Sequence, residues 1–174
     1  MLTSILLLFT GFLNPIPVTT DTSEWKKLDL PKFSIEYPSS WQAESYENAT
    51  LEFTLTSWLE DEEDTYAEFV SLAILPLPGL NKNLDSYIAE TIKEIPFTYK
   101  NAAIRQNEKT TKASKPCYIL SYAGLYSDFP LSHLQYIWFE NDTVFTLSYV
   151  AKQGSFERWE ETARKIMDSF TFKQ

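Results

Sequence analysis

Between Ser132 and Val150 the apolar positions fall into two runs, Leu134–Phe139 and Val144–Val150, divided by Asn141-Asp142. Asn and Asp tolerate positive φ, so the pattern predicts a hairpin with a two-residue turn. Pairing outward from that turn sets Trp138 opposite Phe145, Tyr136 opposite Leu147 and Leu134 opposite Tyr149. These six side chains share one face, because strand residues alternate sides. Gln135, Ile137, Phe139, Val144, Thr146 and Ser148 share the other face, which is still half apolar. A sheet that is apolar on both faces needs cover on both.

The same patterning marks the other elements. Phe33–Tyr37 alternates as a short strand, and Pro38-Ser39-Ser40-Trp41 must then turn, since Pro38 donates no ladder hydrogen bond. Leu51, Phe53 and Leu55 alternate with polar residues, and Phe69–Leu75 is a nearly continuous apolar run ended by Pro76-Leu77-Pro78-Gly79. Leu84, Tyr87, Ile88, Ile92 and Ile95 form a helical stripe, with Asn83 as N-cap and Pro96 as its close. Ala102–Glu108 and Pro116–Ala123 read as strands joined by the polar Lys109–Lys115. In the second, Tyr118, Leu120 and Tyr122 oppose Cys117, Ile119 and Ser121. A loop over Tyr126–Pro130 leads into the hairpin. Phe156, Trp159, Ala163, Ile166, Met167 and Phe170 recur at helical spacing behind Ser155 as cap, and the tail Phe170–Gln174 ends the chain. Two helices and about seven strands, with hairpin-length connections, predict an α+β domain built on a mostly antiparallel sheet.

The amino end reads differently. Leu2–Leu13 is an apolar run of twelve residues. As a helix it spans about 18 Å against a hydrocarbon core of about 30 Å, too short to cross a bilayer. Its length matches the apolar region of a signal peptide over residues 1–20, although no Lys or Arg precedes it. Residues 21–31 are polar and read as a lead-in, leaving 32–174 as a single domain.

Composition narrows the function classes. The 174 residues carry 24 acidic and 15 basic side chains, a formal charge of −9, so binding to a phosphate backbone or an anionic lipid surface is disfavoured. Aromatics at 16% within 44% hydrophobic residues supply ample core and argue against disorder. The single cysteine, Cys117, allows no intramolecular disulfide. Four glycines and one histidine leave no phosphate loop and no zinc-type spacing.

The order of elements and certain residues resemble the PsbP-like superfamily. The resemblance lies in Phe33-Ser-Ile-Glu-Tyr-Pro-Ser-Ser-Trp41, in Leu84-Asp-Ser-Tyr87 opening the first helix, in the aromatic hairpin and in Ile166-Met-Asp-Ser-Phe-Thr-Phe172. It covers about residues 32–172. It implies an α/β/α sandwich, the sheet flanked by helices on both faces, and binding or assembly modules rather than one shared activity. Many prokaryotic members resemble lipoproteins with a cysteine just after the signal, which this chain lacks. Photosynthetic members are associated with retaining manganese, calcium and chloride, and a chain with one histidine gives no ground for carrying that role over.

Residues capable of chemistry are few and scattered. Cys117 lies in an apolar strand and reads as a buried, inert thiol rather than a nucleophile. His133 follows Ser132 directly, and strand neighbours point to opposite faces, so the pair makes a poor catalytic dyad. Glu60, Asp61, Glu62, Glu63 and Asp64 form the densest charge cluster and the one candidate metal site. It lacks the alternating spacing and central glycine of a calcium loop. Asn48-Ala-Thr50 and Asn141-Asp-Thr143 match the glycosylation pattern. The expectation is therefore a non-catalytic exported domain, periplasmic or extracellular and peripheral to a membrane, that binds a protein partner or assists an assembly. It needs no cofactor and no nucleic acid. The alternative is a small-ligand or divalent-metal carrier for calcium or manganese, using the acidic loop or an aromatic-lined cleft.

Overall fold

A computed structural model of the chain describes residues 24–46, 50–59, 66–79 and 83–173. It contains two antiparallel sheets and two helices. Strands β1 (Trp25–Asp29), β2 (Phe33–Pro38) and β10 (Thr171–Phe172) form a three-stranded sheet in the order β1-β2-β10. The seven-stranded sheet runs β3-β4-β5-β9-β8-β7-β6. Its strands are β3 (Gln42–Ser45), β4 (Leu51–Thr56), β5 (Phe69–Pro76), β6 (Lys100–Lys112), β7 (Lys115–Tyr126), β8 (Phe129–Glu140) and β9 (Thr143–Lys152).

The hairpin β8–β9 has the expected register. Trp138 faces Phe145, Tyr136 faces Leu147 and Leu134 faces Tyr149. Asn141 and Asp142 form the turn with φ of 51° and 54°, the left-handed pair that matches strand twist. The two faces then separate cleanly. Leu134, Tyr136, Trp138, Leu147 and Tyr149 join Cys117 and Ile119 of β7 and Phe33 and Ile35 of β2 in the larger core. Ile137, Val144, Leu120 and Tyr122 join a second, smaller core.

Each helix buries its stripe in one of these cores. Helix α1 (Leu84–Thr98) places Leu84, Ile88 and Ile95 in the smaller one. Asn83 caps it as expected: its side chain accepts from the Ser86 amide at 2.9 Å, while the Ser86 hydroxyl accepts from the Asn83 amide at 3.0 Å. Helix α2 (Phe156–Asp168) sends Phe156, Ala163, Ile166 and Met167 into the larger core. Burying each large member contributes about 1.5–3 kcal/mol before chain entropy. Phe170, just after α2, stacks on Phe33 at 5.7 Å and lies 5.4 Å from Trp138, joining the helix to both sheets.

Several expectations need correction. The stretch 21–31 carries β1, hydrogen-bonded along β2, rather than serving only as a lead-in. Gln42–Ser45 and Thr171–Phe172 are strands that short length had hidden. Pro96 does not close α1 but lies inside its last turn. The helix loses one amide donor there, and the Tyr99 amide still closes onto the Ile95 carbonyl at 2.8 Å. Lys109–Lys115 is no linker: β6 and β7 continue through it to a two-residue turn at Ala113-Ser114, both at positive φ. Tyr126–Pro130 tightens likewise to a turn at Ser127-Asp128. Ser155 precedes α2, yet its side chain makes no cap hydrogen bond.

β6 forms one edge of the large sheet, and β3 the other. The β6 strand is mostly exposed and interrupted by irregular pairing between Lys100 and Ala103 and between Ile104 and Gln106. Lys109 pairs with Asp85 of α1 at 2.9 Å, Lys112 with Asp168 of α2 at 2.5 Å, and Lys115, just past the turn, with Glu140 of β8 at 2.6 Å.

Candidate functional site

The residues singled out for chemistry do not meet. Cys117 pairs with Thr110, and His133 pairs with Tyr122, five positions further along β7. At the strand rise this is a separation of roughly 16 Å along the strand, and an odd step also changes the face. Burial pushes the Cys117 thiol up to about 12, so it stays protonated at physiological pH. Asn141 sits exposed in its turn and its carbonyl accepts from the Thr143 hydroxyl at 3.2 Å. Glu60, Asp61, Glu62, Glu63 and Asp64 lie outside the described residues, as do Asn48 and the segment 1–20. Among the described residues no three His, Cys, Asp or Glu side chains gather as metal ligands. No described helix is long and apolar enough to cross a membrane.

What the fold does gather is a set of exposed aromatics at one end of the large sheet. The end of β4 leads to Trp58 and Leu59, which are 60% and 53% exposed. The last turn of α1 presents Phe97, 90% exposed, and the β7–β8 turn presents Tyr126 and Phe129. These segments share one end of the sheet, because Thr56 pairs with Phe69, Phe69 with Val150, Val150 with His133 and His133 with Tyr122 across it. Tyr66 packs on Phe129 with ring centres 5.5 Å apart, and the Lys152 ammonium lies 5.8 Å from the Phe129 ring. Burial, then the Glu68 carboxylate, raises the Tyr66 phenol to about 12.

Two buried polar groups underlie this end. Glu68, 2% exposed, accepts from the hydroxyls of Ser57 at 3.1 Å and Ser155 at 2.5 Å, while its amide donates to Ser57 Oγ at 2.9 Å. It thus fixes the loop after β4 against the start of α2. On the α1 side, His133 stacks on Tyr122 at 4.6 Å and meets Tyr99 edge-on at 5.0 Å. Among the described residues, neither of its ring nitrogens has a hydrogen-bond partner. Burial lowers its pKa to about 4. Tyr99 in turn contacts Tyr126 at 5.7 Å, so the buried imidazole is two rings from the surface.

A second concavity of about 490 Å³ lies toward the opposite end, where β2 and β10 approach the β9 turn. Phe33, Ile74, Phe145 and Phe172 line it, with Lys32 and Lys173 at its rim. Its aromatic residues were visible in the sequence, but their convergence depends on the pairing of β10 with β2, which was not. The exposed end was likewise illegible, since exposed and core aromatics look alike until the strands are in register.

Residues 18–172 match the family described as PsbP-like protein. Comparison with curated protein sequences returns no match. Among solved structures, the chain is similar to cyanobacterial PsbP (CyanoP) from Synechocystis sp. PCC 6803. The TM-score is 0.61 at 13% identity, covering 94% of this chain and 99% of that one. A protein of unknown function from Pseudomonas aeruginosa gives 0.60 at 10% identity, covering 84% and 96%. LpqN of Mycobacterium tuberculosis, described as involved in cell envelope biogenesis, gives 0.56 at 12% identity, covering 87% and 91%. At these identities the structural likeness concerns the fold.

Proposed function

The chain belongs to the PsbP-like protein family, and from that premise we propose that it is a non-catalytic exported domain that binds a protein partner or assists an assembly. The observation that carries this reading is the exposed aromatic end. Trp58, Leu59, Phe97 and Tyr126 are each more than half exposed and come from three separate connections of one sheet. Tyr and Trp are the residue types enriched where protein interfaces form. A sheet covered by α1 on one face and α2 on the other, as the two cores suggest, leaves its ends as the free surfaces. Export to a periplasmic or extracellular location accords with the apolar run Leu2–Leu13.

The test is a triple variant, Trp58→Ser, Phe97→Ser and Tyr126→Ser, compared with the wild type in cross-linking capture from native envelope extract. A defined partner held by the wild type and lost by a folded variant supports the reading. Equal capture by both, or no specific partner at all, overturns it.

A second reading is favoured by the cleft of about 490 Å³ beside Phe33, Phe145 and Phe172, a size suited to a small ligand. Titration calorimetry with calcium and manganese, repeated after neutralising Glu60–Asp64, tests the divalent-metal form of that reading. Heat that disappears in the variant would favour it over the first.

A further inference from the structure

We propose that His133 is an acid-operated latch on the aromatic end: charging its imidazole releases the corner formed by Tyr99, Tyr122 and Tyr126. This deepens the docking-surface reading and takes its functional consequence from it.

The latch follows from how the corner is built. His133 is 5% exposed, with its ring parallel to Tyr122 within 9° and capped edge-on by Tyr99. Tyr99 is also the residue that ends α1, where its amide donates to the Ile95 carbonyl, and it leads directly into β6. It reaches the sheet because β7 has glycine beneath it: a Cβ on Gly124 would lie 2.7 Å from Tyr99 Cβ. One residue therefore covers the imidazole, terminates a helix and touches the exposed Tyr126.

A neutral imidazole fits this box as an aromatic ring. An imidazolium does not, because it brings two N–H donors and a charge to a place where neither nitrogen has an acceptor. The groups facing it offer no counter-charge. Tyr122 comes from β7, Tyr99 from the α1–β6 corner and Tyr126, behind Tyr99, from the end of β7. The phenols of Tyr99 and Tyr122 are raised by burial, and stay neutral throughout the acid range. Val150, opposite His133 on β9, is apolar. Attraction to the tyrosine faces offsets part of the cost and leaves the two N–H groups unsatisfied. Burial alone depresses the imidazole, with no carboxylate acting against it. Acid then favours a conformation in which the ring reaches water, and Tyr99 is the side chain in its way.

The experiment uses the whole chain, whose single histidine gives one imidazole signal. Its NMR titration is followed from pH 7.5 to 3.5, with hydrogen exchange read at residues 97–104 and, as control, in α2. The expected result is a midpoint well below the ordinary 6.5, near 4. Protection at the corner should fall roughly tenfold or more through that midpoint, beyond the intrinsic pH effect, while α2 is unchanged. His133→Phe, which keeps a ring without a charge, should abolish that loss. A midpoint at 6.5 or above overturns the latch, as does acid opening that persists in His133→Phe. Unaltered corner protection through the titration overturns it equally. Should the triple surface variant keep its partner while the titration behaves as expected, the docking reading falls and the latch stands.

Discussion

The Ser155 hydroxyl donates to the carboxylate of Glu68 at 2.5 Å across 87 residues of sequence. The same carboxylate accepts from Ser57, so a buried acid links the loop after β4, the start of β5 and the residue that precedes α2. Removing it leaves the hydroxyls of Ser57 and Ser155 to find new partners. Glu68→Ala should cost about 2–4 kcal/mol and Ser155→Ala about 1 kcal/mol. Urea unfolding measures both, and equal costs for the two variants would contradict the shared role.

Acid should destabilise this protein partly through His133. Its folded-state pKa lies near 4 against an ordinary 6.5, so the unfolded chain takes up the proton first. The histidine contribution is complete above pH 6.5 and shrinks as pH falls toward 4, by about 3 kcal/mol in all. His133→Phe should remove that part of the slope, so that the variant gains about 3 kcal/mol relative to the wild type between pH 7 and pH 4, whatever its stability at pH 7. Parallel curves would disprove the contribution.

Gly124→Ala should disturb the corner without touching the larger core. The added methyl would meet Tyr99 Cβ at 2.7 Å, with Ala102 Cα and the Lys100 carbonyl at 3.3 Å. None of these is the loose end of a flexible side chain. A loss of about 1–3 kcal/mol is expected, with a changed ring-current environment for Tyr99 and Tyr126 in the NMR spectrum. An unshifted spectrum would show that β6 yields freely.

Cys117 should resist alkylation in the native state. Its thiol is fully buried and pushed up to about 12. Iodoacetamide at pH 8 should label it only after denaturant is added, and rapid native labelling would show that β7 opens locally.

The register of β8 and β9 was readable because Asn141 and Asp142 supply a turn and the apolar alternation fixes the faces. Asn83 was readable for a similar reason, its side chain acting within four residues. β1 was not, since Trp25–Asp29 is short, charged and held mainly by backbone pairing to β2. The end of β6 from Lys109 to Lys112 escaped notice because solvent-facing lysines carry no periodic signal and Ala113-Ser114 is an unusual pair for positive φ. The polar environments of Glu68 and His133 depend on partners far away in the chain or on neighbouring strands. In the sequence His133 reads only as half of a poor dyad with Ser132, and its unpartnered nitrogens emerge once Tyr99 is placed.

The outer margin of the large sheet has one more consequence. β6 is the longest edge strand among the described residues and would be the natural template for a second copy to grow upon. Laid antiparallel against its twin about Gln106, it would set Lys100 beside Lys112 at either extremity, and its broken pairing pattern would throw the two ladders out of step. Its cations fastened to Asp85 and Asp168 further tie the strand to its own molecule. At high concentration this protein should therefore remain dispersed where a smooth-edged sheet would stack into fibrils.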